Sequence, residues 1–196
     1  MKSTTFEYMK NSVRTETSAL EELLSAMDSG AFEKTVDFLM SSTLTVLSAC
    51  GSSGFAAQKF AHSLCCVECP AKFVPPSEAV HGGMGALKKG NLLILVSKGG
   101  KSEELFPLVR IAKEKGAHTV LICANPESEL ARMCDVLLLI PNTPESDRYG
   151  VMATSSYIAT AAIFDALMVG LIEEKDYALS EFALIHPGGA VGKQIN

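Results

Sequence analysis

A chain of 196 residues, 47% of them hydrophobic and 20% charged, is long enough for one well-buried α/β domain and has the composition of an ordered globular protein, not a disordered one. Its formal net charge of −5 argues against a general nucleic-acid binder, because no basic stripe is available to displace phosphate counterions. The opening Met1-Lys2-Ser3-Thr4-Thr5-Phe6-Glu7 lacks the apolar core of a signal peptide, so the cytoplasm is the expected compartment and reduced thiols the expected state of the six cysteines.

From about Phe6 to Met27, Leu20, Leu23, Leu24 and Met27 recur at helical spacing, and Ala31 to Met40 forms a second short helix after the Ser29-Gly30 break. A sheet does not need these two helices, which are free to cover its edge or a subunit interface. The first β-rich run, Thr43 to Ala49, ends in Cys50-Gly51-Ser52-Ser53-Gly54, read as a loop, and an Ala-rich helix follows from Phe55 to Cys66. Such a junction presents backbone N–H groups and hydroxyls where a helix dipole is positive, which suits an anion. Cys65-Cys66-Val67-Glu68-Cys69 has no second Cys/His pair at zinc-finger spacing, so structural thiols are expected there in place of a metal site.

Ala71 to Val74 is a short strand stopped by Pro75-Pro76. Ser77 then reads as an N-cap and Gly82-Gly83 as a stop, with His81 at the end of one helical turn. His81 is either a surface or capping histidine or, beside an anion pocket, a proton shuttle. The sharpest signal is Leu92-Leu93-Ile94-Leu95-Val96, which breaks into Ser97-Lys98-Gly99-Gly100-Lys101-Ser102 before a helix from Glu103 to Lys115. That repeats the anion-holding junction with two lysines in the loop and Glu104 one turn away.

Further strands are expected at Thr119 to Cys123 and Val136 to Ile140, with a short helix started by Asn125-Pro126-Glu127-Ser128 between them. The alternation of five apolar runs with helices predicts a three-layer αβα sandwich around a mainly parallel five-stranded sheet. Pro141 to Tyr149 reads as a polar, exposed loop. Tyr157 to Ile172, broken by Asp165, falls short of a membrane span and reads as a buried helix. Thr154, Ser155 and Ser156 before it are caps of that helix or members of the anion site. His186 is restricted by Pro187, and Gly188-Gly189 permits a sharp turn after it. No repeat or linker divides the chain, so residues 1–196 are taken as one domain, with helices over 1–40 and the α/β core over 41–196.

Gly51-Ser52-Ser53-Gly54, Glu78-Ala79-Val80-His81-Gly82, the Ser97-to-Glu104 loop, Ala153-Thr154-Ser155-Ser156 and Ile185-His186-Pro187-Gly188-Gly189 together resemble the sugar isomerase (SIS) domain. Within that superfamily the chain looks like the arabinose-5-phosphate isomerase branch, from about Leu20 onward. The resemblance implies a flavodoxin-like fold, a phosphorylated sugar as partner, no cofactor, and a homo-oligomer, tetramer or dimer. Many members carry a pair of CBS modules after the SIS domain, and this sequence stops at Asn196 without them. Two positions depart from the branch. Ser52 stands where its members usually have a lysine, and Lys98-Gly99-Gly100-Lys101 where they typically read Asn-Ser-Gly-Glu.

Aldose–ketose isomerisation needs a base beside the carbonyl carbon and groups that stabilise an enediolate. The resemblance implies Glu104 as the base, His186 as a competing base, and His81 in ring opening or hydroxyl proton transfer. Ser52, Ser53, Ser97, Ser102, Thr154, Ser155 and Ser156 are expected to hold phosphate and sugar hydroxyls. Lys98 or Lys101 is expected to restore the positive charge absent at Ser52. The other readings are a non-catalytic phosphosugar sensor and an isomerase of a hexulose 6-phosphate or heptulose 7-phosphate.

Overall fold

The computed structural model describes residues 3–195. Five strands, β1 (Thr45–Ala49), β2 (Ala71–Phe73), β3 (Leu92–Val96), β4 (His118–Cys123) and β5 (Val136–Leu139), form one sheet in the order β2-β1-β3-β4-β5. Every pairing is parallel, with Thr45 opposite Leu92 and Leu92 opposite His118. All five residues of β1 and of β3 are buried, which explains why β3 appears in the sequence as an unbroken apolar run; β1 also buries Thr45 and Ser48.

Successive residues of a strand face opposite sides, so the sheet builds two cores. On one face Leu47, Ile94 and Ile122 pack against α1 (Ser3–Ala26), α2 (Ser29–Ser41), α3 (Gly51–Cys65) and α7 (Ser155–Lys175). On the other, Val46, Leu95 and Leu121 meet α4 (Pro76–Ala79), α5 (Phe106–Glu114) and α6 (Glu129–Met133). The expected three-layer sandwich is present, and the sheet is wholly parallel. Two short helices, α8 (Leu179–Ile185) and α9 (Gly189–Ile195), end the described chain. His186 leaves α8 at φ −118°, ψ 60°, and Gly189 opens α9 where a bare turn was expected.

α7 is longer than the apolar run in the sequence suggests. Its 21 residues make it long and apolar enough to cross a membrane on length and composition alone. Here it packs on α1, α2 and α3, and Phe164 stacks on Phe60 of α3 with ring centroids 4.4 Å apart. Full burial of Ile163, Phe164, Leu167 and Leu171 stabilises the sandwich by roughly 1.5–3 kcal/mol per side chain. α2 lies against both β5 and α7, so it does cover that end of the sheet.

Candidate functional site

In an open parallel sheet, ligands bind beyond the carboxyl ends of the strands, where the strand order reverses. Here the reversal lies between β1 and β3. β1 runs straight into α3, whose first turn is Gly51-Ser52-Ser53-Gly54; the expected loop before Phe55 is therefore part of the helix. Cys50 at the N-cap is extended and its side chain makes no capping bond, which leaves the first N–H groups of α3 open. The hydroxyls of Ser52 and Ser53 have no partner among the described residues.

β3 leads into the second junction. Gly100 N–H donates to the Ser97 carbonyl at 3.0 Å, and the Ser97 and Ser102 hydroxyls meet at 2.9 Å. The loop is also held from outside: Ala124 N–H donates to the Lys98 carbonyl at 2.8 Å, and the Cys123 thiol does so at 3.2 Å. Gly100 is required twice over, because its φ is +65° and a Cβ there would lie 2.1 Å from Ser128 Oγ. The backbone N–H groups of Gly99, Lys101 and Ser102 have no acceptor among the described residues and can serve an anion. A short 3₁₀ turn, Glu103–Leu105, precedes α5 and replaces the expected continuous helix from Glu103.

Glu104, on that turn, lines a cavity of about 310 Å³ with Cys50, Pro76, Ser77, Val80 and Pro107. Its carboxylate makes no hydrogen bond or ion pair among the described residues. Burial and then the nearby Glu104 charge push the Cys50 thiol pKa up, consistent with the two facing one space. Ser77 lies in the first turn of α4, which has Pro75 as N-cap, so Ser77 is a wall residue and not the expected cap. His81 is exposed one residue after Val80, and the turn at Gly82, φ +108°, follows it. His186 is not among the residues lining this cavity: its ring stacks on Phe182 with centroids 3.8 Å apart, and its Nδ1 is 3.0 Å from the Phe182 carbonyl oxygen.

The loop after β5 overturns an expectation. Thr143 and Glu145 are buried, although the polarity of the segment predicts exposure. Glu145 Oε1 accepts from Lys98 Nζ at 2.6 Å and from the Ser156 hydroxyl. Its Oε2 accepts from Thr154 N–H at 2.8 Å, Thr154 Oγ1 at 3.1 Å and Ser156 N–H at 3.3 Å. Burial alone would raise the Glu145 pKa. Lys98, Ser156 and the two backbone N–H groups outweigh it and bring the pKa down to about 2. Glu145 is thus the anion that caps α7, and it occupies the hydroxyls of Thr154 and Ser156. Ser155, fully buried between them, has a hydroxyl with no partner.

Lys98 and Lys101 diverge. Lys98 is fixed by Glu145 and borders a cavity of about 360 Å³ with Gly99, Ala124, Asn125 and Asn142. Lys101 is exposed and makes no ion pair among the described residues. A larger cavity, about 560 Å³, lies between α2 and α7 with Glu33, Asp37, Glu173 and Glu174 among its lining residues, away from the strand ends. The cysteines are all free thiols, and no group of three or more His, Cys, Asp or Glu suited to a metal occurs among the described residues.

Glu145 is absent from the residues that the sequence singles out, yet a signal exists. A helix start with three hydroxyl residues offers N–H and O–H donors to an anion, and the acids in the loop before it are Glu145 and Asp147. Asp147 caps its own turn instead, accepting from the N–H groups of Tyr149, Val151 and Met152.

Residues 39–170 match the family model for the SIS domain. The arabinose 5-phosphate isomerase KpsF of Escherichia coli is 32% identical over 98% of this chain and 61% of its own length. The chain therefore spans about three fifths of that curated relative. Among solved structures, a candidate sugar-phosphate isomerase of Listeria monocytogenes is 36% identical, with a TM-score of 0.90 over 96% of this chain and 99% of its own. The protein c3406 of E. coli CFT073, solved in complex with arabinose 5-phosphate, is 27% identical, with a TM-score of 0.87 over 95% of this chain and all of its own.

Proposed function

Because this chain belongs to the SIS domain family, and its relatives are sugar-phosphate isomerases, we propose that it is a phosphosugar aldose–ketose isomerase, with D-arabinose 5-phosphate and D-ribulose 5-phosphate as the leading pair. The observation that carries this reading is the Glu104 carboxylate, free in a cavity between two anion-holding junctions at the point where the strand order reverses.

The phosphate is held by the N–H groups of the 97–102 loop, the Ser97 and Ser102 hydroxyls and the first turn of α3, each bringing the positive end of a helix or turn. This anchors the sugar so that Glu104 takes the proton from the carbon beside the carbonyl and returns it to the neighbouring carbon. His81, on the exposed turn beside the cavity wall, moves hydroxyl protons. Of the two loop lysines, Lys98 has its position fixed, and we assign it the stabilisation of negative charge that Ser52 does not provide. His186 acts in the pocket of a second subunit. In support, it is not among the residues lining the Glu104 cavity, and its short helix leaves Leu179 64% and Leu184 78% exposed.

A second reading, a non-catalytic phosphosugar binder, is favoured by one feature. The first turn of α3 presents Ser52 and no cation, and Lys98 is already engaged by Glu145. One experiment separates the two. The protein is incubated in D₂O with a panel of pentose, hexose and heptose phosphates, and conversion and deuterium uptake are followed by NMR. Isomerisation of any one of them, reduced on the order of 100-fold or more by Glu104→Gln with binding retained, is the expected result. Tight binding without exchange across the panel would establish the binder.

A further inference from the structure

The cavity of about 560 Å³ between α2 and α7 has no part in the chemistry proposed above. It lies along the second half of α7, whereas Ser155 and Ser156 open that helix. Its floor is apolar: Phe32 and Val36 from α2 face Ala166, Leu167 and Gly170 from α7. Its rim is acidic. Glu33 and Asp37 stand on α2 and Glu173 and Glu174 on the last turn of α7, all four exposed. Helical spacing separates the two sets, since Phe32 and Val36 are one turn apart on α2 and so are Glu33 and Asp37.

The rim charges are uncompensated. No Lys or Arg is among the lining residues, and the four carboxylates make no hydrogen bond or ion pair among the described residues. The two lysines next to them in the chain are engaged elsewhere. Lys34 Nζ lies over the Phe38 ring, 5.7 Å from its centroid. Lys175 Nζ donates to the Val67 carbonyl at 2.6 Å and lies 5.3 Å from the Tyr177 ring centroid. Gly170 is a second, independent sign. Glycine is disfavoured inside a helix, yet packing does not demand it here, because an added Cβ would meet only Val36 Cγ2, at an ordinary 3.6 Å. What the missing side chain does is leave the space between the two helices open. An occupant that complements this groove carries apolar groups at its centre and cations on both flanks, the pattern of an amphipathic basic helix. Cations one turn apart on such a helix match the spacing of Glu33 and Asp37, about 6 Å along α2. A polyamine would satisfy the rim but has little apolar bulk for the floor, and an acidic helix would oppose the rim.

We infer that the groove between α2 and α7 is a docking site for a basic amphipathic helix of a protein partner, its apolar face on Phe32, Val36 and Leu167 and its cations on Glu33, Asp37, Glu173 and Glu174. This inference does not depend on the isomerase reading.

The test is fluorescence anisotropy of a labelled leucine–lysine amphipathic peptide of about 18 residues, with a leucine–glutamate peptide of the same pattern as control. Circular dichroism confirms that each protein variant is folded. The lysine peptide should bind wild type in the micromolar range and weaken with added salt, and the glutamate peptide should not bind. Glu33→Lys with Asp37→Lys should weaken binding on the order of 10-fold or more. Glu114→Lys with Glu127→Lys, the same change in net charge at exposed acids outside the groove, should leave it unchanged. Gly170→Leu, which fills the floor and adds no charge, should weaken binding on the order of 10-fold. Should Gly170→Leu not fold, the exposed rim pair carries the test alone. A wild type that does not bind the lysine peptide up to about 1 mM overturns the inference. So do equal losses in the two charge-reversed pairs, or a folded Gly170→Leu that binds as wild type does. Two other occupants would also overturn it: spermidine, if it binds through the rim while the peptide does not, and a second copy of this chain, if Gly170→Leu dissociates an oligomer in sedimentation velocity.

Discussion

Replacing Lys98 with methionine removes the ammonium from Glu145 while leaving its other donors in place. The Glu145 side chain is 5% exposed and that of Lys98 36%, so the pair is buried at one end only. Breaking a fully buried pair costs about 3–5 kcal/mol. Solvent already screens Lys98, and Glu145 keeps the Ser156 hydroxyl and the Thr154 and Ser156 N–H groups, which reduces the expected loss to about 1–2 kcal/mol at pH 7. For a chain of this length that corresponds to a fall in melting temperature of about 3–6 °C. The pH dependence makes the argument specific. A carboxylate held at a pKa of about 2 contributes stability that is fully present above its ordinary unfolded pKa and is lost as pH falls through about 2. Without Lys98 the folded pKa of Glu145 rises, so part of that contribution disappears. The difference between wild type and Lys98→Met should therefore be largest at neutral pH and should shrink steadily between about pH 4.5 and pH 2. Urea denaturation at pH 7, 4 and 2.5 measures it. A variant as stable as wild type at pH 7, or a difference that does not change with pH, would refute the reasoning.

Three further outcomes are expected. Gly100→Ala should destabilise the fold by about 1–3 kcal/mol and weaken phosphosugar affinity, because it combines a left-handed φ with a collision at Ser128; urea melts and calorimetric titration read both effects. Ser155→Ala removes a buried hydroxyl without a partner, so the unliganded protein should be unchanged or stabilised by up to about 1 kcal/mol in thermal melts. The Cys134 thiol, pushed up to about 12 chiefly by burial, should resist a thiol reagent at pH 8 until the protein is unfolded, as alkylation mapped by mass spectrometry will report.

All five strands are legible in the sequence, β3, β4 and β5 chiefly as buried apolar runs, β1 and β2 as short β-rich segments ended by turn residues. The start of α3 is not, since Gly-Ser-Ser-Gly has the composition of a connector, and only the extended Cys50 before it shows that winding begins at Gly51. The loop from Pro141 to Tyr149 misleads for a related reason. Polarity marks a segment as exposed, whereas Glu145 is buried by donors that the fold brings to it, one of them 47 positions away. The serines of the 97–102 loop are legible as a group, but the division of labour between Lys98 and Lys101 is not, because it depends on which lysine reaches the buried carboxylate. Val80 and Glu104 are brought to one cavity by the segments that follow β2 and β3, a consequence of topology, and His81 is the residue after Val80. His186 is not among the residues lining that cavity; its ring stacks on Phe182 within its own short helical segment.

The clasp from Ala124 and Cys123 onto the Lys98 carbonyl has a thermodynamic consequence of its own. A recognition loop that is loose before its guest arrives gives up about 1–2 kcal/mol of conformational freedom for every residue it must settle. Here that loss was met when the chain folded, since residues 97 to 100 are fastened to β4 and fixed by a glycine that tolerates no side chain. On the proposed function, capture of a phosphosugar by this loop should therefore require little rearrangement. It also follows that anything loosening the β3–β4 pair will be felt as weaker capture before it is felt as unfolding.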